Sequence, residues 1–196
     1  MNLIFRLLAV WLQSFLKPVI DPIEHGSILK MRVWPQDLDT NWHMNNGRYL
    51  TLMDLGRFDL ILHAGMLKAA IKQKWAPVLG AATMRFRMPL NAFQPFELHT
   101  RILGWTENWL FIEQRFILTR GPRKGAVAAI GLVRGGLYNN RLQMLVPVRD
   151  ILALAGQDPD EPSPALPDYV AAWQASEEAL KAATPRPQPK ERDQAC

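Results

Sequence analysis

Residues 33–49 read VWPQDLDTNWHMNNGRY, and the organisation of the whole chain follows from them. Two carboxylates (Asp37, Asp39), one histidine (His43) and three asparagines (Asn41, Asn45, Asn46) crowd into this one segment. Just upstream, residues 27–34 (SILKMRVW) alternate as a first strand does. Just downstream, residues 47–67 (GRYLTLMDLGRFDLILHAGML) have helical character, and only Thr51, Asp54, Arg57, Asp59 and His63 interrupt an otherwise apolar circumference. A helix that is apolar nearly all round is expected to be wrapped by other structure. The polar segment therefore joins a strand to the start of a buried helix, a junction where functional side chains commonly sit.

Beyond residue 76 the periodicity changes from helical to alternating. Thr83, Arg85 and Arg87 point one way, and Met84, Phe86 and Met88 the other. Pro89 and Pro95 bracket a turn, residues 96–105 (FELHTRILGW) form the next strand, and Glu107-Asn108 turns into residues 109–119. A basic turn at 120–125 (RGPRKG) leads to residues 126–134 (AVAAIGLVR), which are apolar on both faces, as in a central strand. Short turns between these four strands read as an antiparallel meander. The predicted class is α+β, with an antiparallel sheet of about five strands curved around one long helix.

The helix start supplies an electrophilic half-site. Its first backbone N–H groups lack intrahelical partners, and the helix dipole adds partial positive charge. Asn45 or Asn46 reads as the N-cap, while Gly47 permits close approach of a carbonyl. A thioester oxygen placed there would be stabilised as it becomes an oxyanion. Asp39, a few residues upstream, is positioned either to attack that carbonyl or to activate a water. Asp37 reads as structural, in a turn or an ion pair. His43 either orients Asp39, touches substrate, or simply fixes loop backbone. The rival carboxylate is Asp54, although Arg57 three residues on makes a helix ion pair the simpler reading.

Asp37-Leu-Asp39, His43-Met-Asn45-Asn46 and Tyr49 together resemble the 4-hydroxybenzoyl-CoA thioesterase family of hotdog-fold proteins. The resemblance spans about residues 27–145, because the order of strand, helix and four strands is also similar. It implies an acyl-CoA thioesterase in which Asp39 occupies the catalytic position. Asn45, Asn46, Gly47 and Tyr49 are then candidate substrate-binding residues, with His43 beside the catalytic one. It further implies a homodimer or dimer of dimers that binds acyl-CoA at the subunit interface, with no metal or prosthetic group. An acyl carrier protein thioester is an alternative substrate. Many relatives carry glycine just before the histidine, where this chain has Trp42. A bulky indole there would narrow the pocket or reshape the loop.

Two other functions fit the same fold. Hotdog hydratases and dehydratases use an Asp-x-Asn-x-x-His spacing, whereas Asp39-Thr-Asn41-Trp-His43 is one residue short. A non-catalytic, membrane-associated acyl-CoA-binding protein is the second. The net charge of +5 suits anionic ligands, and Arg120, Arg123 and Lys124 could meet coenzyme A phosphates or form a solvated turn. Because the positive charge is spread along the chain, with no recognised motif, nucleic acid is not an expected partner.

The flanks read as appendages, giving a division at 1–20, 21–150 and 151–196. Residues 3–16 (LIFRLLAVWLQSFL) are too short an apolar run to span a membrane. On a helical wheel Asn2, Arg6, Gln13 and Lys17 share one narrow arc, and the rest is greasy. Such a helix lies in a membrane interface or packs onto protein. Residues 168–183 form one helix in a proline-rich C-terminal extension whose end is expected to be disordered. The single cysteine, Cys196, allows no internal disulfide, so the expected location is cytoplasmic, with peripheral membrane contact through residues 1–17.

Overall fold

A computed structural model describes residues 2–16, 18, 19 and 21–184. Lys17 and Cys196 lie outside the described residues, as does the expected disordered end from residue 185 on. The chain divides into two units, 1–165 and 166–196, and among the described residues the second contains one helix, Asp168–Ala183.

The first unit begins with helix α1 (Asn2–Ser14), followed by strand β1 (Ser27–Arg32) and a one-turn 3-10 helix at Pro35–Asp37. Helix α2 (Asn46–His63) and the short α3 (Leu67–Gln73) come next. Four long strands follow: β2 (Trp75–Phe86), β3 (Pro95–Trp105), β4 (Leu110–Leu118) and β5 (Val127–Asn139). A two-residue β6 (Met144–Leu145) and helix α4 (Val148–Leu154) complete the unit. The strands pair antiparallel in the order β1-β3-β4-β5-β2, with β6 added to β5.

Helix α2 is covered from two sides. It packs on β1 and β3 of the sheet and against α1. Tyr49, Leu52, Met53 and Leu55 are buried in one cluster with Phe96, Leu98, Phe116 and Ala129 of the sheet, and Leu60 is buried further along the helix. Gly56 is required by this packing: a Cβ there would lie 2.5 Å from Thr100 Oγ1 and 2.6 Å from Gln114 Nε2. Gln114 Nε2 in turn donates to Thr100 Oγ1 and the Met53 carbonyl, satisfying a polar group deep in the core.

The meander expectation needs one correction. β3, β4 and β5 do follow one another, but β2 lies beside β5 at the opposite end of the sheet from β1. The proline-bracketed segment between β2 and β3 is thus a crossing, not a hairpin. Its physical anchor is Leu90, which is fully buried, and Phe93 N–H, which donates to the Val33 carbonyl at 2.9 Å. That crossing passes under the 33–49 segment and helps to hold it.

Helix α1 packs onto the domain, but with the opposite face from the greasy one. Val10 is buried, Leu3 touches the core, and the Arg6 guanidinium donates to the Asp37 carboxylate. Ile4, Phe5, Leu8, Trp11, Leu12 and Phe15 remain exposed. Among the described residues, no helix is long and apolar enough to cross a membrane.

Candidate active site

The segment between β1 and α2 closes on itself as a small loop. Leu38 and Met44 bridge antiparallel, and the Asp39 N–H donates to the His43 carbonyl at 2.9 Å. Its outer side is tied to the β2–β3 crossing, since Met44 N–H donates to Leu90 O at 2.8 Å and His43 bridges Asn91. The turn needs a left-handed residue just before the histidine, and Trp42 supplies it at φ 62°. Glycine adopts that conformation without steric cost, which gives the family's glycine at this place a physical reason. The indole stands 77% exposed, so it reshapes the loop's surface and does not fill an interior space within the chain.

Asp39 is presented at the start of this turn, with its side chain 23% exposed. Its Oδ1 accepts from the Asn41 N–H at 2.8 Å, and the His43 Nδ1 lies 3.5 Å from the same oxygen. That second distance is long for a hydrogen bond, so in this state His43 sits near Asp39 without gripping it. Among the described residues Oδ2 has no hydrogen-bond partner, which leaves one carboxylate oxygen available for chemistry.

The start of α2 lies six residues further on. Asn45 is the N-cap, and its Oδ1 accepts from the Gly47 N–H at 2.8 Å. The Asn45 carbonyl takes the Arg48 N–H at 2.9 Å. Among the described residues no partner takes the Asn46 N–H, so this first-turn donor faces outward with the helix dipole behind it. Gly47 contributes space in place of a free donor. Tyr49 is buried, with its ring edge-on to Phe86 at 5.1 Å and to Phe116 at 4.9 Å. Burial raises its phenol to about 12, a backbone hydrogen bond at Leu90 lowers it, and the Asp39 charge raises it further.

Asp37, at the other side of the loop, is fully buried. Its Oδ1 accepts from Arg48 Nε at 3.1 Å and Nη2 at 2.9 Å, while Oδ2 takes the Trp34 N–H at 2.9 Å and the Arg6 guanidinium. Sequence reading had it in a turn or an ion pair, and it makes both. The Arg6 and Arg48 partners were not legible, because neither charge sits at a helical spacing from Asp37.

Asp54 is paired with Arg57, and Arg57 Nη1 also donates to Gln114 Oε1 at 2.9 Å. Burial lowers the Arg57 pKa, and Asp54 opposes that effect. Both residues line an apolar cavity of 380 Å³ beside the middle and end of α2, walled also by Leu3 and Leu7 of α1 and by Leu79, Ile112 and Leu152. None of the 33–49 segment lines it. Arg120, Arg123 and Lys124 lie exposed in the β4–β5 turn. Among the described residues no group of three or more His, Cys, Asp or Glu side chains is placed to hold a metal ion.

The model of the thioesterase-like superfamily matches residues 33–174, a span that begins at the loop just described. The chain belongs to the thioesterase-like superfamily. Protein THEM6 of Danio rerio is 32% identical over 171 residues, covering 87% of this chain and 79% of that protein. The match to protein THEM6 of Xenopus laevis, also 32% identical, covers 63% of this chain and 64% of that protein. Among solved structures, the probable thioesterase YbaW of Escherichia coli superposes with a TM-score of 0.59 at 18% identity, covering 66% of this chain and 96% of that one. Gentisyl-coenzyme A thioesterase BH1999 gives a TM-score of 0.55 at 21% identity, covering 62% and 94%. These likenesses establish the hotdog fold: one curved antiparallel sheet around the long helix of a thioesterase-like protein.

Proposed function

We propose that this thioesterase-like protein hydrolyses acyl-CoA thioesters to a free acid and coenzyme A, with Asp39 as the reacting carboxylate. The observation that carries the reading is the open Oδ2 of Asp39 on a loop that runs straight into the N-terminus of α2. Oδ2 either bonds to the thioester carbon or takes a proton from the attacking water. In both routes the carbonyl oxygen gains charge, the C–S bond breaks and coenzyme A leaves as thiolate. In the first, water then cleaves the acyl–Asp39 anhydride to free acid and Asp39; in the second, the proton held by Asp39 passes to the departing thiolate. The N–H of Asn46 and the α2 dipole would stabilise that carbonyl oxygen. Removing one such donor typically costs roughly 3–4 kcal/mol of transition-state stabilisation. Asn45 shapes the helix start, Gly47 leaves room beside it, and Tyr49 is buried in the first turn of α2. His43, with Nδ1 3.5 Å from Asp39 Oδ1, stands close enough to orient the carboxylate or meet substrate once a thioester binds.

An acyl carrier protein thioester fits the same chemistry. The 380 Å³ apolar cavity along the middle and end of α2 is of a size that small ligands occupy, and it is separate from the 33–49 segment. A homodimer or dimer of dimers is supported by β2, a twelve-residue edge strand with exposed Leu79 and Phe86. Edges of that length are normally covered. Peripheral membrane contact is supported by α1, whose apolar side faces out while Arg6 faces in, the reverse of a helix held by hydrophobic docking alone. Residues 2–16 carry no carboxylate, and Lys30 and Arg32 lie exposed beside α1 on β1, so an anionic lipid surface is the matching partner.

The test is thiol release from a panel of short, long and aromatic acyl-CoAs, with the acid product identified. Release of acid and thiol in equal amounts from at least one acyl-CoA supports the reading. No hydrolysis across the panel, with tight binding of the same compounds, makes the protein a non-catalytic binder.

A further inference from the structure

Asp37 joins three parts of the fold at one carboxylate. Arg6 reaches it from α1, Arg48 from the first turn of α2, and the Trp34 N–H from the exit of β1. Its backbone is used as well: the Asp37 carbonyl accepts from Asn45 N–H at 2.8 Å, and the Asp37 N–H donates to Trp34 O at 2.8 Å. The residue that caps α2 and the residue that begins the loop are thus both tied to Asp37, two positions before Asp39. A carboxylate with no exposed surface is tolerated only when opposite charge and donors surround it, and Arg6 supplies the contact that comes from outside the loop and α2.

We infer that Arg6, acting through Asp37, is a positioning residue for turnover at Asp39, so that helix α1 is a brace of the active site as well as a surface element. The inference rests on Asp39 being the reacting carboxylate. Its physical basis is the tolerance of the reaction to misplacement. A shift of about 1 Å in a reacting group can cost about a hundredfold in rate. Without Arg6, Asp37 keeps Arg48 and the Trp34 N–H, so the fold survives. The loop loses its tie to α1, and the Asp37 Oδ2 is left with a single donor. Substrate binding at the start of α2 does not involve Arg6, so the loss falls on kcat.

The experiment compares the full-length native protein with Arg6→Gln, Arg6→Lys and Asp39→Asn on one soluble acyl-CoA that the native protein hydrolyses. Amide hydrogen exchange across residues 34–45 is measured in parallel. The expected result is a fall in kcat of ~tenfold or more in Arg6→Gln, KM within about twofold, and most of the loss restored in Arg6→Lys. Exchange at Trp34 and Asn45 rises ~tenfold in Arg6→Gln and stays near native in Arg6→Lys. Native kcat in Arg6→Gln overturns the inference, and so does equal loss in Arg6→Gln and Arg6→Lys with a lowered melting temperature in both. Native turnover in Asp39→Asn sinks the reading of Asp39 alone. In that case exchange decides the brace, and unchanged protection in Arg6→Gln overturns it.

Discussion

Replacing Asp37 by asparagine keeps shape and removes charge, which makes it the sharpest probe of what holds the loop to the fold. The carboxylate has no exposed surface, and its two guanidinium partners have side chains only 14% and 25% exposed. Removing one member of a buried ion pair typically costs about 3–5 kcal/mol, because the remaining charge is left uncompensated. Here both arginines retain partial access to water, so the lower end applies, about 3 kcal/mol. For a unit of this size each kcal/mol lowers Tm by about 2–4 °C, which gives a drop of about 6–12 °C. The assay is urea unfolding followed by tryptophan fluorescence, with a thermal scan alongside. Asp54→Asn is the control, because its pair with Arg57 has a mostly exposed carboxylate and should change stability by less than about 1 kcal/mol. If Asp37→Asn loses no more than Asp54→Asn, the pairing at Asp37 behaves as a surface contact and the reasoning is wrong.

Other expectations concern the core, the phenol and helix α1. Gly56→Ala forces a methyl group against Thr100 Oγ1 and Gln114 Nε2, and should destabilise by about 1–3 kcal/mol in the same unfolding assay. Gly131→Ala meets only the flexible ends of Met53 and Met84 and should cost clearly less; equal losses would contradict the packing argument. With its folded pKa at about 12 against 10.0 for the free side chain, Tyr49 should ionise well above the free phenol when absorbance is followed. The unfolded chain then loses this proton first, so the stability contribution is whole below pH about 10 and is lost as pH rises toward about 12. Tyr49→Phe should remove the late phase, and a titration unchanged by that substitution would be inconsistent with it. The native protein should float with mixed phosphatidylcholine and phosphatidylglycerol vesicles, and Leu8→Glu or Leu12→Glu should reduce that by ~tenfold or more. Binding that is unaffected, or a change in oligomeric state without vesicle binding, would instead assign the exposed face of α1 to protein contact.

Much of this fold was legible because its signals are local. The alternation at 27–34, the nearly all-apolar stretch that became α2 and the two-faced apolar run of β5 each report burial directly. The pairing of β2 with β5 was not, since two prolines around a short polar stretch look alike in a hairpin and in a crossing. α3 and α4, at seven residues each, are too short to establish a helical period. The resemblance of the loop motif and the expected helix start single out Asp39, His43, Asn45, Asn46, Gly47 and Tyr49, but not their hydrogen bonds. That Gly47 N–H is taken by Asn45 depends on a side-chain rotamer, and that Trp42 must be left-handed depends on closing the Leu38–Met44 bridge. The sequence places Arg6 on the narrow polar arc of an otherwise greasy helix and leaves open whether that helix packs onto protein or lies in a membrane interface. Only the fold shows that Arg6 reaches Asp37 and that much of the greasy side is left outside.

Single-turnover thiol release by native protein and Asp39→Asn, on the acyl-CoA the native protein cleaves fastest, tests the central claim most directly. Asparagine keeps the Asn41 contact geometry while removing the charge on Oδ2, so the account predicts a fall of ~100-fold or more with the fold and substrate affinity retained. Turnover within a few-fold of native would contradict it and shift the search for the reacting group to Asp54 on the wall of the cavity.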